Sequence, residues 1–138
     1  MRYLIIVKAS PESEAAITPD PDPALLAEMA AYHEDLARAG VLLDGAGLKP
    51  SREGWRIRFE GSTRTVAHGP FALDENLMAG YTLIQARSAE EALEWTRRYP
   101  NPRGPGLACH IEVRPLYALD DFPPGEAVER FREIPSAR

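Results

Sequence analysis

Thirteen prolines punctuate this chain of 138 residues, and no other feature limits its fold as tightly. They make up about 9% of the sequence, against an average near 5%. Proline cannot donate to a sheet ladder and breaks a helix interior, so each one marks a joint or an edge. They fall at positions 11, 19, 21, 23, 50, 70, 100, 102, 105, 115, 123, 124 and 135. The elements between them must be short. The N-terminal apolar run, Tyr3 to Val7, is too brief for a signal-peptide core or a membrane span. The length suits one domain, and 44% hydrophobic with 27% charged residues is ordinary globular usage. A net charge of −5 without a basic cluster argues against nucleic acid as partner. A single cysteine excludes an internal disulfide and fits a reducing cytoplasm.

The readable segments lie between the joints. Arg2 to Lys8 is a β-branched and aromatic run, too short for a helix and read as a buried strand. Ala9 to Pro23 carries four prolines and is expected to be irregular, a stiffened lid over a pocket mouth. Asp22-Pro23 reads as an N-cap and first helical residue. The helix then continues to Ala39, with Leu25, Met29, Tyr32 and Leu36 on one face and Gly40 ending it. Val41 to Leu48 reads as a strand. Trp55 to Glu60 and Thr63 to Ala67 read as a hairpin turning at Gly61-Ser62, with Trp55, Ile57 and Phe59 on one face. Gly80 to Ala86 is a further strand. Ser88 and Glu91 make a capping box for a helix from Ala89 to Tyr99. Its core stripe is Ala92, Trp95 or Thr96, and Tyr99, with Glu94 paired to Arg98 outside. Cys109 to Arg114 is the last strand. This order predicts an α+β, ferredoxin-like βαββαβ fold with an inserted β-hairpin and mixed strand pairing. Residues 1–117 form that domain. Residues 118–138 form a tail whose Val128, Phe131 and Ile134 suggest docking on a partner subunit or on its own domain.

Several stretches together resemble a known family. They are Tyr32 to Leu43, Gly45 to Ser51, His68-Gly69-Pro70-Phe71-Ala72, Ala79-Gly80-Tyr81, Ser88 to Trp95, Pro100-Asn101-Pro102, and Ile111 to Leu116. In order and spacing they resemble the YCII-related family, in its branch named for an Asp-Gly-Pro-Phe motif, with His68 in the place of the aspartate. The resemblance implies a dimeric α/β barrel, in which two sheets face each other around a pocket. It implies no settled reaction. Association of branch members with sigma factors points toward regulation, and relatives of the fold include isomerases and cofactor-independent monooxygenases.

His33 stands on the predicted first helix beside its apolar stripe. The resemblance implies a histidine here and, in related proteins, a His–carboxylate pair, which suits a general base near neutral pH. The plainer alternative is a boundary histidine bonded to the protein or to water. Asp44, in an apolar strand segment, either orients His33 or is a solvated carboxylate. His68 opens a Gly-Pro turn and is either structural there or a pocket-edge acid or base. Arg56 and Arg58 share a hairpin face with the capacity to clamp a carboxylate or phosphate; a solvated strand face explains them equally. Tyr81, Glu112 and Arg114 are expected on central strands. His110, Glu112 and Arg114 share a face by period two, where Glu112 and Arg114 are a buried ion pair or pocket lining. Cys109 is expected to be a buried small residue. Neither a dinucleotide fingerprint nor a phosphate loop occurs, and the histidines and Cys109 lack metal-ligand spacing, so no cofactor or metal is expected. Two functions follow from these readings. One is a homodimeric module binding a small polar ligand, linked to regulation and without a membrane partner. The other is a cofactor-independent acid–base enzyme, isomerase- or lyase-like, using His33 with Asp44 or another carboxylate.

Overall fold

The computed structural model of the protein describes residues 1–16 and 21–135. Pro19, in the expected lid, lies outside the described residues. The elements run β1 (Arg2–Lys8), α1 (Pro11–Ala15), α2 (Pro23–Arg38), β2 (Leu42–Gly47), β3 (Trp55–Glu60), β4 (Thr63–His68), β5 (Met78–Gln85), α3 (Ala89–Arg97), β6 (Ile111–Pro115) and α4 (Glu126–Arg132). Short 3-10 turns occupy Ser51–Glu53 and Leu119–Asp121. Four strands form one sheet in the order β2-β5-β1-β6, and β3 pairs with β4 in a separate hairpin. This is the expected ferredoxin-like α+β plan. The expected mixed pairing is corrected: β1 is antiparallel to both β5 and β6, and β2 is antiparallel to β5. Two crossover helices return the chain so that parallel strands are never neighbours.

Helix α2 starts as its sequence requires. Asp22 accepts from the Ala24 amide at 3.2 Å, and Pro23 sits where no amide donor is needed. At the other end Gly40 takes φ of 72°, its N–H bonds Ala37, and the Val41 N–H bonds Leu36. That double closure needs the left-handed backbone that glycine adopts without a Cβ clash. It also stacks Val41 on Leu36, both buried. Ser88 caps α3 by accepting from the Glu91 amide at 3.1 Å, while the Glu91 carboxylate takes the Arg87 N–H at 3.0 Å.

The core forms where α2 and α3 cover one face of the sheet. Tyr3, Ile5 and Ile84 meet Tyr32 and Leu36 from α2 and Ala92 from α3. Trp95 and Tyr99 pack partly against this cluster. Strand register puts Ile5 beside Thr82 and Val113, and Tyr3 beside Ile84. The odd-numbered positions of β1 therefore face the helices, and Leu4, Ile6 and Lys8 face away.

Four expectations change. Residues Pro11–Ala15 are helical, capped by reciprocal Ser10–Ser13 bonds. Glu94 pairs with Arg97 at 3.8 Å, whereas Arg98 lies over the Trp95 ring at 4.0 Å. Strand β6 begins at Ile111 and is an edge strand, so Glu112 and Arg114 are not central. Cys109 precedes β6 and is exposed.

Leu36 is fully buried. Leu36→Ala is expected to cost about 2–5 kcal/mol of unfolding free energy in urea. A loss below about 1 kcal/mol would show that this helix contact is not part of the core.

Candidate functional site

The expected site residues fall into three separate places. His33 lies under the helix layer, half-buried. Its Nδ1 is 2.8 Å from the Met29 carbonyl oxygen, which only accepts, so Nδ1 carries the proton. The Nε2 atom is hydrogen-bonded to the Thr82 hydroxyl at 2.8 Å. Thr82 is buried, and the Tyr99 hydroxyl stands 3.4 Å from its Oγ1. The Tyr32 ring meets both His33 and Tyr99 edge-on, and its hydroxyl donates to the Trp95 carbonyl at 2.7 Å. Burial pushes the Tyr32 phenol up to about 12 and raises Tyr99 as well. Both ring nitrogens of His33 are occupied by neutral partners, Met29 and Thr82.

The structure does not bring Asp44 to His33. A β-bulge separates Leu42, paired with Ile84, from Asp44, paired with Leu83. The extra residue flips the alternation. Gly45 consequently faces the helix side, where an added Cβ would stand 3.8 Å from His33 Nε2. Asp44 points to the opposite face and accepts from the Tyr81 hydroxyl at 3.0 Å. That bond raises the Tyr81 pKa above its ordinary value, because the proton is held between the phenol and a carboxylate.

The helix-free face holds the second group. Across the sheet, one row reads Asp44, Leu83, Leu4, Arg114 and the next Ala46, Tyr81, Ile6, Glu112. Glu112 accepts from Lys8 at 2.8 Å and from Arg114 at 3.3 Å. These two bonds lower its pKa, with the Lys8 bond the larger cause. The Glu112–Arg114 pair forms, but it is not buried: the Arg114 side chain is 69% exposed. Lys8 is the sheltered member, with 15% of its side chain exposed. Lys8 shares this face, where period two from Leu4 and Ile6 places it, and is not among the residues the sequence singles out.

A cleft of about 280 Å³ opens at the Lys8 end of this region, lined by Lys8, Ser10, Asp74, Arg103, Cys109 and His110 among others. Ala9, Ser10 and Pro11 form part of its wall, so part of the proline-rich connection does border a pocket. Arg103 donates to Glu12 at 2.9 Å and to the Ala108 carbonyl at 3.2 Å, leaving a buried Nε without a partner. The Arg103 bond holds the Glu12 carboxyl down at about 2. The Cys109 thiol donates to Asn101 Oδ1 at 2.9 Å. Among the described residues no group of three or more His, Cys, Asp or Glu is placed to hold a metal ion.

The third group sits on the hairpin. His68 ends β4 and packs edge-on against Trp55, its cross-strand neighbour. Arg56 lies 3.9 Å over the Phe71 ring, and Arg58 faces the same way on β3. The β3–β4 hairpin forms its own two-stranded sheet, so His68, Arg56 and Arg58 do not share a sheet face with Tyr81, Glu112 and Arg114.

The fold and this distribution define an α+β protein of ferredoxin-like topology with one helix-covered and one polar-edged sheet face. A family model described as the YCII-related domain matches residues 1–117. The chain therefore belongs to the YCII-related family. It is also similar to an uncharacterized protein of Rhizobium meliloti (strain 1021), with 29% identity over 126 residues, covering 91% of this chain and 98% of that one.

Asp44→Asn removes the carboxylate that retains the Tyr81 proton. The Tyr81 pKa is expected to fall toward its ordinary value of 10.0, read by ultraviolet titration against Tyr81→Phe. An unchanged titration would remove Asp44 from this contact. Thr82→Val leaves His33 Nε2 without its partner and is expected to cost about 1–3 kcal/mol of stability, measured by urea denaturation.

Proposed function

We propose that the protein is a homodimeric module in which the helix-free faces of two sheets meet and enclose a site for a small polar molecule. One observation carries this reading. Leu4, Ile6 and Leu83 occupy the middle of a face that neither α2 nor α3 covers, with Asp44 and Tyr81 toward the β2 edge and Lys8, Glu112 and Arg114 toward β6. An antiparallel sheet facing water alternates apolar-in with polar-out. Here the second face is apolar at its centre, which fits burial against a like surface. The polar flanks supply both donors and acceptors for a small ligand. Arg114 is suited to a carboxylate or phosphate, and the Asp44–Tyr81 pair to a hydroxyl or amine.

On this reading the protein is a ligand-responsive component with a role in regulation. Acid–base catalysis by His33 and Asp44 draws no support from the geometry, because the two point to opposite faces. The free Cys109 thiol accords with a reducing cytoplasm. Membership of the Asp-Gly-Pro-Phe branch is read from Gly69-Pro70-Phe71, which follow His68. Among the described residues no helix is long and apolar enough to cross a membrane.

Sedimentation equilibrium at micromolar concentration is expected to give twice the chain mass of 15.3 kDa. Leu83→Asp is expected to give a folded monomer by circular dichroism. A wild-type monomer contradicts the dimer. In a thermal-shift screen of small carboxylates and phosphates, a ligand at about 100 times its Kd is expected to raise Tm by roughly 5–10 °C. Arg114→Gln is expected to abolish that rise, and equal shifts in both proteins would remove Arg114 from the site.

A further inference from the structure

The β3–β4 hairpin is built as an arm. Every residue of both strands is exposed. Its register places Trp55, Ile57 and Phe59 on one face with His68, Val66 and Arg64. Trp55 is 62% exposed, Phe59 64% and Val66 54%, although aromatic and β-branched side chains at cross-strand positions are suited to burial. The opposite face is partly engaged at its base, where Arg56 lies over Phe71. The base itself is fastened. Glu14 of α1 accepts from the Ser51 amide at 2.9 Å and bonds the Ser51 hydroxyl at 2.5 Å. Ser51 Oγ accepts from the Phe71 amide at 2.9 Å, and Arg52 donates to the carbonyls of Glu14 and Ala16. The structure thus fixes where the arm leaves the body and leaves its apolar face unpacked. A lone two-stranded hairpin is marginal in water, so this arm requires a surface.

We propose that this surface is the body of a second copy of the chain, each copy laying its hairpin across the other. Two observations choose that occupant. The first is charge: Arg56, Arg58 and Arg64 against Glu60 give the hairpin a net charge of +2, and the whole chain carries −5, so the remainder carries −7. Arg64 stands on the apolar face itself, with Arg56, Arg58 and Glu60 on the other, and the positive sum of the arm opposes the negative sum of the rest of its own chain type. The second is size. Four exposed apolar side chains offer on the order of 400 Å², about half of what one partner contributes to a stable interface. The patch is too small to hold a partner alone and suits an annex to a larger contact. This inference rests on the dimer proposed above and adds to it a second, exchanged contact.

The experiment labels both tryptophans with 5-fluorotryptophan in the otherwise unaltered chain, assigns Trp55 by Trp55→Phe, and follows fluorine NMR alongside sedimentation across a dilution series. The Trp55 resonance is expected to shift with the dimer fraction and to lose accessibility to a soluble paramagnetic probe in the dimer. Ile57→Ser/Phe59→Ser is expected to weaken dimerisation at least tenfold with an unchanged circular dichroism spectrum, and added salt is expected to weaken it in wild type. A dimer in which Trp55 stays as accessible as in the monomer overturns the arm and leaves the sheet-face dimer standing. A chain that stays monomeric throughout overturns both.

Discussion

Strand β1 is the constraint on which the rest depends. It lies between β5 and β6, antiparallel to both, so its backbone groups are engaged along each side. Alternate side chains must then serve two surfaces. Tyr3 and Ile5 enter the helix-covered core, and Leu4, Ile6 and Lys8 project to the other face. A strand with one wet face would read apolar, polar, apolar. The unbroken run Tyr3-Leu4-Ile5-Ile6-Val7 reads as a strand meant to be covered on both sides. Its own helices supply cover for one side only.

Much of this was legible because local chemistry and global plan agree. The β1 limits, the Asp22-Pro23 start of α2 and the Gly40 stop follow from the residues themselves, as do the Gly61-Ser62 turn and the Ser88 cap. The misses have identifiable causes. Helix α1 has five residues and a serine, not a glutamate, closing its cap, so neither periodicity nor the usual capping signature announces it. The Glu94–Arg98 pair assumed helical geometry that ends at Arg98, where the backbone leaves the helix and the Trp95 face competes for the guanidinium. The ladder of β6 begins at Ile111, two residues after Cys109, and the sequence holds no sign of that later start.

The site was less legible, and Asp44 shows why. Strict alternation from Leu42, which faces the core, puts Asp44 on the same face as His33. One bulged residue reverses that parity and delivers the carboxylate to Tyr81 instead. A strand's composition does not encode the bulge, and with it Gly45 rather than Asp44 faces His33, where an added Cβ would make an ordinary contact at 3.8 Å. Equally, Arg103 sits in a proline- and glycine-rich bend far in sequence from Lys8 and Glu12, and only the folded chain brings them to one cleft.

The two faces differ in how completely their polar groups are satisfied. Under the helices, His33, Thr82 and Tyr32 are each committed to a partner inside the same chain, and Thr96 returns its hydroxyl to the Ala92 carbonyl. Such a network rigidifies a core. On the other side the guanidinium of Arg114 is 69% exposed with a single carboxylate contact, and Arg103 keeps a buried Nε without an acceptor. Recognition needs donors whose geometry is fixed and whose capacity is not yet used. The Lys8–Glu112 bond provides the first condition by pinning the strand ends together, and Arg114 provides the second. The unused hydrogen-bonding capacity of Arg114 therefore lies on the sheet face that its own helices leave open.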